Sequence, residues 1–395
     1  MKTVILGAGI GGLCTAIALR LKGIDCEVYE KYATISDMGA GIICWPNASF
    51  VLDQLGMLDE VKTISGKPRA MRRLTHEGEN IGMLDISALN ASMGYASYSI
   101  FRKDLMKILY TRAMGLGVTI HFSQKIDKIT SGNNNGSTIC LSNEKIINAD
   151  IVIAADGRMN SVARKYVHGN NVPKYQGFIN WVGKLTASSS IVSDMSVMDC
   201  WGVGQRFGIV PINRNAAYWA GAIAAPAIEK TDSNNYRDEL LTLFAHWPTP
   251  IAEIINKTPS NNIHKIYVHD HDPISVWHRN NVIIIGDAAH APLPTSGQGA
   301  CQAMEDAWQL ATLLGERDTT QDIDTVYKKF THLRVEKTRA ITHGARQFAN
   351  SLFNVDPEYC AQRNQMSKST DFSQMVSGMA QGWAKGLPLN TTKEN

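Results

Sequence analysis

The chain has 395 residues, 44% of them hydrophobic, enough for one large domain or two intimate ones with a sizeable core. Its 39 basic and 36 acidic residues leave a net charge of +3 with no polybasic run, which argues against nucleic acid or a charged membrane surface as partner. Seven dispersed cysteines, no C-x-x-C pair, no zinc spacing and no membrane-length apolar run predict reduced thiols, a cytoplasmic setting and no transmembrane segment or bound metal.

The N-terminal segment Thr3-Val4-Ile5-Leu6 reads as a strand. Gly7-Ala8-Gly9-Ile10-Gly11-Gly12 follows, then a helix from about Leu13 to Lys22 with Gly23 as its C-cap, then a strand to Glu30. Strand, G-x-G-x-x-G, helix, strand and an acid about 20 residues on make a full dinucleotide fingerprint. Its glycines let the backbone approach a pyrophosphate at a helix N-terminus, and Glu30 suits ribose hydroxyls. A second glycine-rich loop, Met38 to Ile42, precedes a helix opened by Trp45-Pro46-Asn47. Short strands are expected at 70–75, 81–84 and 97–101, then a helix from Arg102 to about Met114 and a strand over 118–122. The Gly/Asn tract 132–136 reads as a solvated hairpin turn between strands. Ile151 to Ala155 is a buried strand ending at Asp156-Gly157.

From 175 to 223 the character changes to short, aromatic-rich strands at hairpin spacing, the pattern of an antiparallel sheet. Helices at 236–244 and 251–255 and a strand at 265–268 follow. Val282-Ile283-Ile284-Ile285 then reads as a strand buried on both faces. It runs into Gly286-Asp287-Ala288-Ala289-His290, a Pro/Ser/Gly loop to Gly299, and a helix to Leu314. His290 can be read as a base or as a loop scaffold. Cys301 can be read as a thiol activated at a helix N-terminus or as a packed small residue. From Ile323 to about Asn350 the pattern is a long, basic helical region. Residues 350–395 read as polar, with Trp383 and Leu387-Pro388-Leu389 pinning a tail to the body.

Three motifs together resemble the FAD-dependent aromatic hydroxylases, the single-component flavoprotein monooxygenases of the p-hydroxybenzoate hydroxylase type. They are Gly7–Gly12, Asp156-Gly157 with Ser161 and Arg164, and Gly286–His290 with Pro294 and Gly297-Gln298-Gly299. Asn180-Trp181, Gly204-Gln205-Arg206, Tyr218 and Met304-Glu305-Asp306-Ala307 make the chain similar to the urate hydroxylase and salicylate hydroxylase-like branch. It departs at Pro294-Thr295-Ser296-Gly297, where urate enzymes carry an acidic residue after the proline.

The resemblance implies a mixed α/β fold: a Rossmann-like FAD-binding domain (1–69, 103–174, 276–320), an interleaved antiparallel-sheet substrate domain (70–102, 175–275) and a C-terminal helical region with a tail (321–395). It implies FAD held by Gly9, Gly11, Gly12, Glu30, Lys31, Ile43, Arg102, Ile126, Asp156, Gly157, Asp287, Gly297, Gln298 and Gly299. Substrate would meet Asn180, Arg206, Tyr218 and Pro294, with Arg206 and Tyr218 closest to catalysis. Read without the resemblance, Arg206 is rather a surface residue of a hairpin and Tyr218 a strand residue packing on Trp219 or Trp181. The implied reaction uses NAD(P)H and O2 to hydroxylate a small electron-rich ring through a C4a-hydroperoxyflavin, with urate the leading substrate. A larger antibiotic or secondary metabolite is the alternative, as is a flavin- or NAD-binding protein that does not hydroxylate. A monomer or homodimer is expected.

Overall fold

The computed structural model describes residues 1–36, 39–132, 136–228, 235–318 and 321–389, and its architecture is mixed α/β. Its first layer is a six-stranded sheet, in spatial order His278–Arg279, Val282–Ile284, Ile151–Ala154, Thr3–Leu6, Cys26–Tyr29, Thr119–His121. All neighbours run parallel except the first pair. Three of these strands (Thr3–Leu6, Ile151–Ala154, Val282–Ile284) are buried along their whole length, as continuous apolar runs require when helices cover both faces.

Helix Ile10–Leu21 begins three residues before its apolar pattern suggests, because the fingerprint glycines are already its first turn. Gly7 has φ +96°, and a Cβ there would stand 2.5 Å from the Ala155 carbonyl oxygen. A Cβ on Gly12 would lie 1.9 Å from the Gly7 oxygen, so helix and strand meet closer than any other residue allows.

The second layer is a seven-stranded sheet in the order Ile263–Asp270, Lys174–Thr186, Ala216–Ala224, Gln205–Asn213, Ser196–Trp201, Ala70–Thr75, Asn80–Asp85. It is antiparallel throughout except that Ser196–Trp201 and Ala70–Thr75 run parallel. One face packs Trp181, Phe207 and Trp219 against Phe244 and Ile254 of the helices Tyr236–Phe244 and Ile251–Lys257 and against Trp247 between them, forming a core of its own. Alternation turns the other face of the same strands toward the first layer.

Several expectations are corrected. The segment read as a glycine-rich loop over 38–42 runs into a strand, Gly41–Cys44, paired with Tyr98–Phe101, while Met38 lies outside the described residues. The strands expected on either side of the tract 132–136 do pair antiparallel, Ile126–Ser131 with Ser137–Leu141, while residues 133–135 lie outside the described residues. Residues beyond 350 are not merely a polar tail: they form helices Pro357–Lys368 and Phe372–Ala384. Trp383 does meet the body, with its ring 5.2 Å from that of Trp45. Helices Leu58–Ile64, Ile86–Met93 and Val162–His168 went unpredicted. Among the described residues no helix is long and apolar enough to cross a membrane, and no cluster of ligating side chains suits a metal.

Candidate active site

Between the two layers lies a cavity of about 600 Å³. Its sheet wall follows from period-two alternation: Phe178, Asn180 and Val182 on one strand, Tyr218, Ala220 and Ala222 on the next, and Arg206, Gly208 and Val210 on the third all line it. Register then sets the rows. Asn180 and Arg206 both pair with Ala222, so they sit in one row across a methyl-sized gap. Val182, Ala220, Gly208 and Asp199 make the adjacent row.

Asp199 is almost fully buried, and its carboxylate is held from two sides. Arg206 Nε donates to Oδ1 at 2.6 Å, and Trp201 Nε1 donates to Oδ2 at 2.9 Å. The guanidinium is thus fixed through one edge. Asp199 was not among the residues the sequence singled out. Its signal was an acid in the apolar run Val197-Met198-Asp199-Cys200-Trp201.

Tyr218 is half-buried, and its ring passes so close to Gly41 that a Cβ there would lie 2.1 Å from the Tyr218 Cδ1. Burial pushes its phenol well above the ordinary tyrosine range, with Cys44 and Cys301 adding to the shift. At neutral pH the group is therefore a hydroxyl donor and not a base.

The opposite wall comes from the first layer. Gly9, Ile10, Gly11, Ile43, Trp45, Arg102, Gly157, Arg158, Asp287, Pro294, Gly297 and Gly299 all reach the cavity. Its charged lining is Arg102, Arg158 and Arg206 against Asp199 and Asp287, a surplus of positive charge. Arg158 Nη1 lies 3.8 Å from Asp287 Oδ2.

Six residues assigned to the cofactor do not line this cavity. Gly12 packs on Gly7. Glu30 accepts the Ala8 N–H at 2.7 Å and the Tyr32 N–H at 2.9 Å, which shapes the turn after the strand. Lys31 is exposed and Ile126 half-buried. Asp156 accepts from Ser161 Oγ at 2.6 Å and from Ala163 N–H at 3.1 Å, so it organises the start of helix Val162–His168. Arg164, from the same motif, donates to the carbonyls of Ala288 and Ala289 at 2.9 and 3.0 Å and ties that helix to the Gly286 loop. Gln298 is buried, and its Oε1 accepts from Asn47 and Gln302 at 2.9 Å each.

The Pro294–Gly299 loop rests on a buried charged network. Asp306 Oδ2 accepts from the Gly286 N–H at 2.8 Å and contacts His290 Nε2 at 2.7 Å, while Arg334 Nε reaches Oδ1 at 2.6 Å. Burial opposes the charge on Asp306, but His290 and Arg334 prevail and hold its pKa at about 2. His290 is therefore scaffold. Cys301 is buried and its thiol is pushed up to about 12, so it is packing rather than a nucleophile. Gly297 has φ +62° and donates its N–H to the Pro294 carbonyl at 3.0 Å. That N–H is accordingly engaged, and the donors of the loop come from Gly299 and the helix N-terminus behind it.

A dinucleotide fits this arrangement by the geometry of the chain itself. The fingerprint loop admits no side chains at Gly7 or Gly12, it opens into the cavity at Gly9 and Gly11, and nothing lies within 4 Å of a Cβ built on Gly9. At the far end, Trp45 Nε1 and Gln298 Nε2 are buried donors without a partner among the described residues, and Trp45 itself lines the cavity.

A family model described as FAD binding domain matches residues 1–343. The aurachin C monooxygenase/isomerase of Stigmatella aurantiaca is 30% identical over 87% of this chain and 88% of its own. The FAD-dependent urate hydroxylase of Klebsiella pneumoniae subsp. pneumoniae is 29% identical over 96% of this chain and 97% of its own. The crystal structure of Klebsiella pneumoniae HpxO complexed with FAD and uric acid superposes with a TM-score of 0.89 at 28% identity, covering 98% of this chain and 97% of that one.

Proposed function

The chain belongs to the FAD binding domain family, and we propose that it is a monooxygenase that hydroxylates a small, planar, electron-rich aromatic or N-heterocyclic ring. The balance is ring C–H, O2, NAD(P)H and a proton giving ring C–OH, NAD(P)⁺ and water. Bound FAD supplies the electron transfer and oxygen activation. FAD would be held within 1–69, 103–174 and 276–320, with Gly9, Gly11, Gly157 and Asp287 as the residues to meet its phosphates and ribityl chain and Ile43, Arg102, Gly297 and Gly299 as those to meet its ring, all of which line the cavity. Substrate contacts come from strands within 70–102 and 175–275, and the region from 321 onward braces the loop.

The observation that carries this reading is the row formed by Asn180, Ala222 and Arg206 across the cavity from the Pro294–Gly299 loop. Arg206 binds the anionic edge of the ring, and Asp199 holds the guanidinium in place while it does so. Asn180 offers a donor and an acceptor beside it, which suits a heterocycle with alternating N–H and C=O groups. Tyr218 donates a hydrogen bond without titrating. The apolar walls Val182, Val210 and Leu293 exclude water from the reacting atoms. Urate, an oxidised purine anion, meets these requirements, and the similar Klebsiella enzyme is a urate hydroxylase by name.

A second reading, hydroxylation of a larger metabolite, is favoured by Gly208, Ala220 and Ala222 in the sheet wall, which leave depth above the row. The test is a panel of purines, phenols and bulkier quinolones scored for accelerated NADH or NADPH oxidation under air, with peroxide measured in parallel. Acceleration by urate supports the first reading, and acceleration by quinolones alone the second. Failure of every compound, or electrons passing only to peroxide, sinks both.

A further inference from the structure

A second cavity, of about 230 Å³, lies behind the Arg206 wall. Arg73 of strand Ala70–Thr75, Trp201, Phe348 of the long helix Ile323–Leu352, and Tyr359, Arg363 and Ser367 of helix Pro357–Lys368 line it. None of these residues lines the large cavity. The wall between the two is shared, because the Phe348 ring lies 5.7 Å from the Arg206 guanidinium and 6.0 Å from that of Arg73.

The charge here is unbalanced. Both guanidiniums flank the Trp201 ring, Arg73 at 5.1 Å and Arg363 at 5.3 Å. Arg363 directs its donors at neutral acceptors: the carbonyls of Ser351, Leu352 and Gly202 and the amide of Asn364. Among the described residues, the one side-chain hydrogen bond of Arg73 goes to the Met375 sulfur at 3.8 Å, and its Nε is buried without a partner. Asp199 is the carboxylate whose field reaches both groups, and it already pairs with Arg206. Three guanidiniums thus share the field of one buried carboxylate, and only Arg206 is shown bonded to it. Ser367, 6% exposed, adds a hydroxyl with no partner among the described residues. Buried polar groups of this kind are normally satisfied, and a buried surplus of positive charge calls for an anion.

We propose that this cavity is a second binding site, separate from the large one, for a small aromatic carboxylate. The guanidinium fork of Arg73 matches a planar carboxylate. Trp201, Phe348 and Tyr359 offer rings against which a single aromatic ring packs. The volume suits one ring and is too small for a nucleotide.

The test uses crystals of the FAD-loaded protein soaked in 4-bromobenzoate, with anomalous diffraction at the bromine edge, together with calorimetric titration of the same compound in solution. Bromine is expected in the small cavity. The Arg73→Met variant, with FAD still bound, loses that peak and binds about tenfold or more weakly in solution. Ser367→Ala, which leaves the charge in place, weakens binding by a smaller factor. Should Arg73→Met fail to hold FAD, Arg73→Lys serves in its place, since it keeps the charge but lacks the fork. Bromine in the large cavity alone, binding at crystal concentration only, or an unchanged affinity in the Arg73 and Ser367 variants overturns the proposal.

Discussion

Arg206 and Asp199 form a partly buried ion pair, Nε to Oδ1 at 2.6 Å, on neighbouring strands of the sheet that walls the large cavity. Removing either partner leaves the other uncompensated in a poorly solvated place. Arg206→Ala is expected to lower kcat/KM by about 2–4 kcal/mol, roughly 30- to 1000-fold, while FAD stays bound. Asp199→Asn keeps the shape but frees the guanidinium to swing, so it is expected to raise KM more than it lowers kcat. Steady-state kinetics beside a flavin absorbance spectrum check both. Loss of flavin in Arg206→Ala would place that residue with the cofactor instead.

Tyr218 and Gly41 make a second pair. Tyr218→Phe removes one neutral hydrogen bond, for an expected loss of about 1 kcal/mol, roughly fivefold in kcat/KM. Because burial keeps the phenol protonated, the pH profile of kcat/KM between 6 and 9 keeps its shape in the variant. Gly41→Ala drives a methyl into the tyrosine ring and is expected to impair turnover more than Tyr218→Phe does. Equal effects would show that the ring moves freely and does not position substrate.

The fingerprint loop yields a cofactor prediction. A methyl on Gly12 meets the Gly7 carbonyl oxygen at 1.9 Å, so Gly12→Ala must shift the helix away from the strand. The expected result is a protein purified with little or no flavin and destabilised by about 1–3 kcal/mol, read as a lower melting temperature. A yellow protein of unchanged stability would contradict the packing described.

Asp306 links stability to acid. Its folded pKa, about 2, lies below the ordinary carboxylate value of about 3.9, so its contribution is fully present above pH 4 and is lost as pH falls through 2. Asp306→Asn leaves Arg334 and His290 short of a partner and is expected to destabilise the protein by about 3–5 kcal/mol at pH 7. The gap between wild type and variant should narrow between pH 4 and 2, measured by denaturant unfolding. A constant gap would separate the stability of the loop from this carboxylate.

Which parts were legible in the sequence follows from where the determinants lie. The parallel strands and the fingerprint helix are local: runs such as Val282–Ile285 and the glycine spacing of Gly7–Gly12 state their own burial. The antiparallel strands around Asn180, Arg206 and Tyr218 were also readable. That their side chains share one row depends on register, which no single strand encodes. Asp199 went unnoticed for that reason, since its partner Arg206 lies across a hairpin. The network under the loop was hidden differently. Arg334 and Lys337 sit in a helix whose basic composition looks solvated, yet both are buried against Glu305 and Asp306. The last helix, Phe372–Ala384, carries Gly378 and Gly382, which weakened its helical signal until packing on the body supplied what propensity lacked.

By the proposed function, this chain inserts one oxygen atom of O2 into a ring held by Arg206. The most direct measurement is mass spectrometry of the product formed by the flavin-loaded protein from urate and NADH or NADPH under ¹⁸O2. One ¹⁸O atom is expected in the freshly formed product, and Arg206→Ala is expected to form that product about 30-fold or more slowly. NAD(P)H consumption that yields only hydrogen peroxide, with unlabelled and unchanged urate, would contradict it for this substrate, and the same result across the purine, phenol and quinolone panel would contradict it altogether.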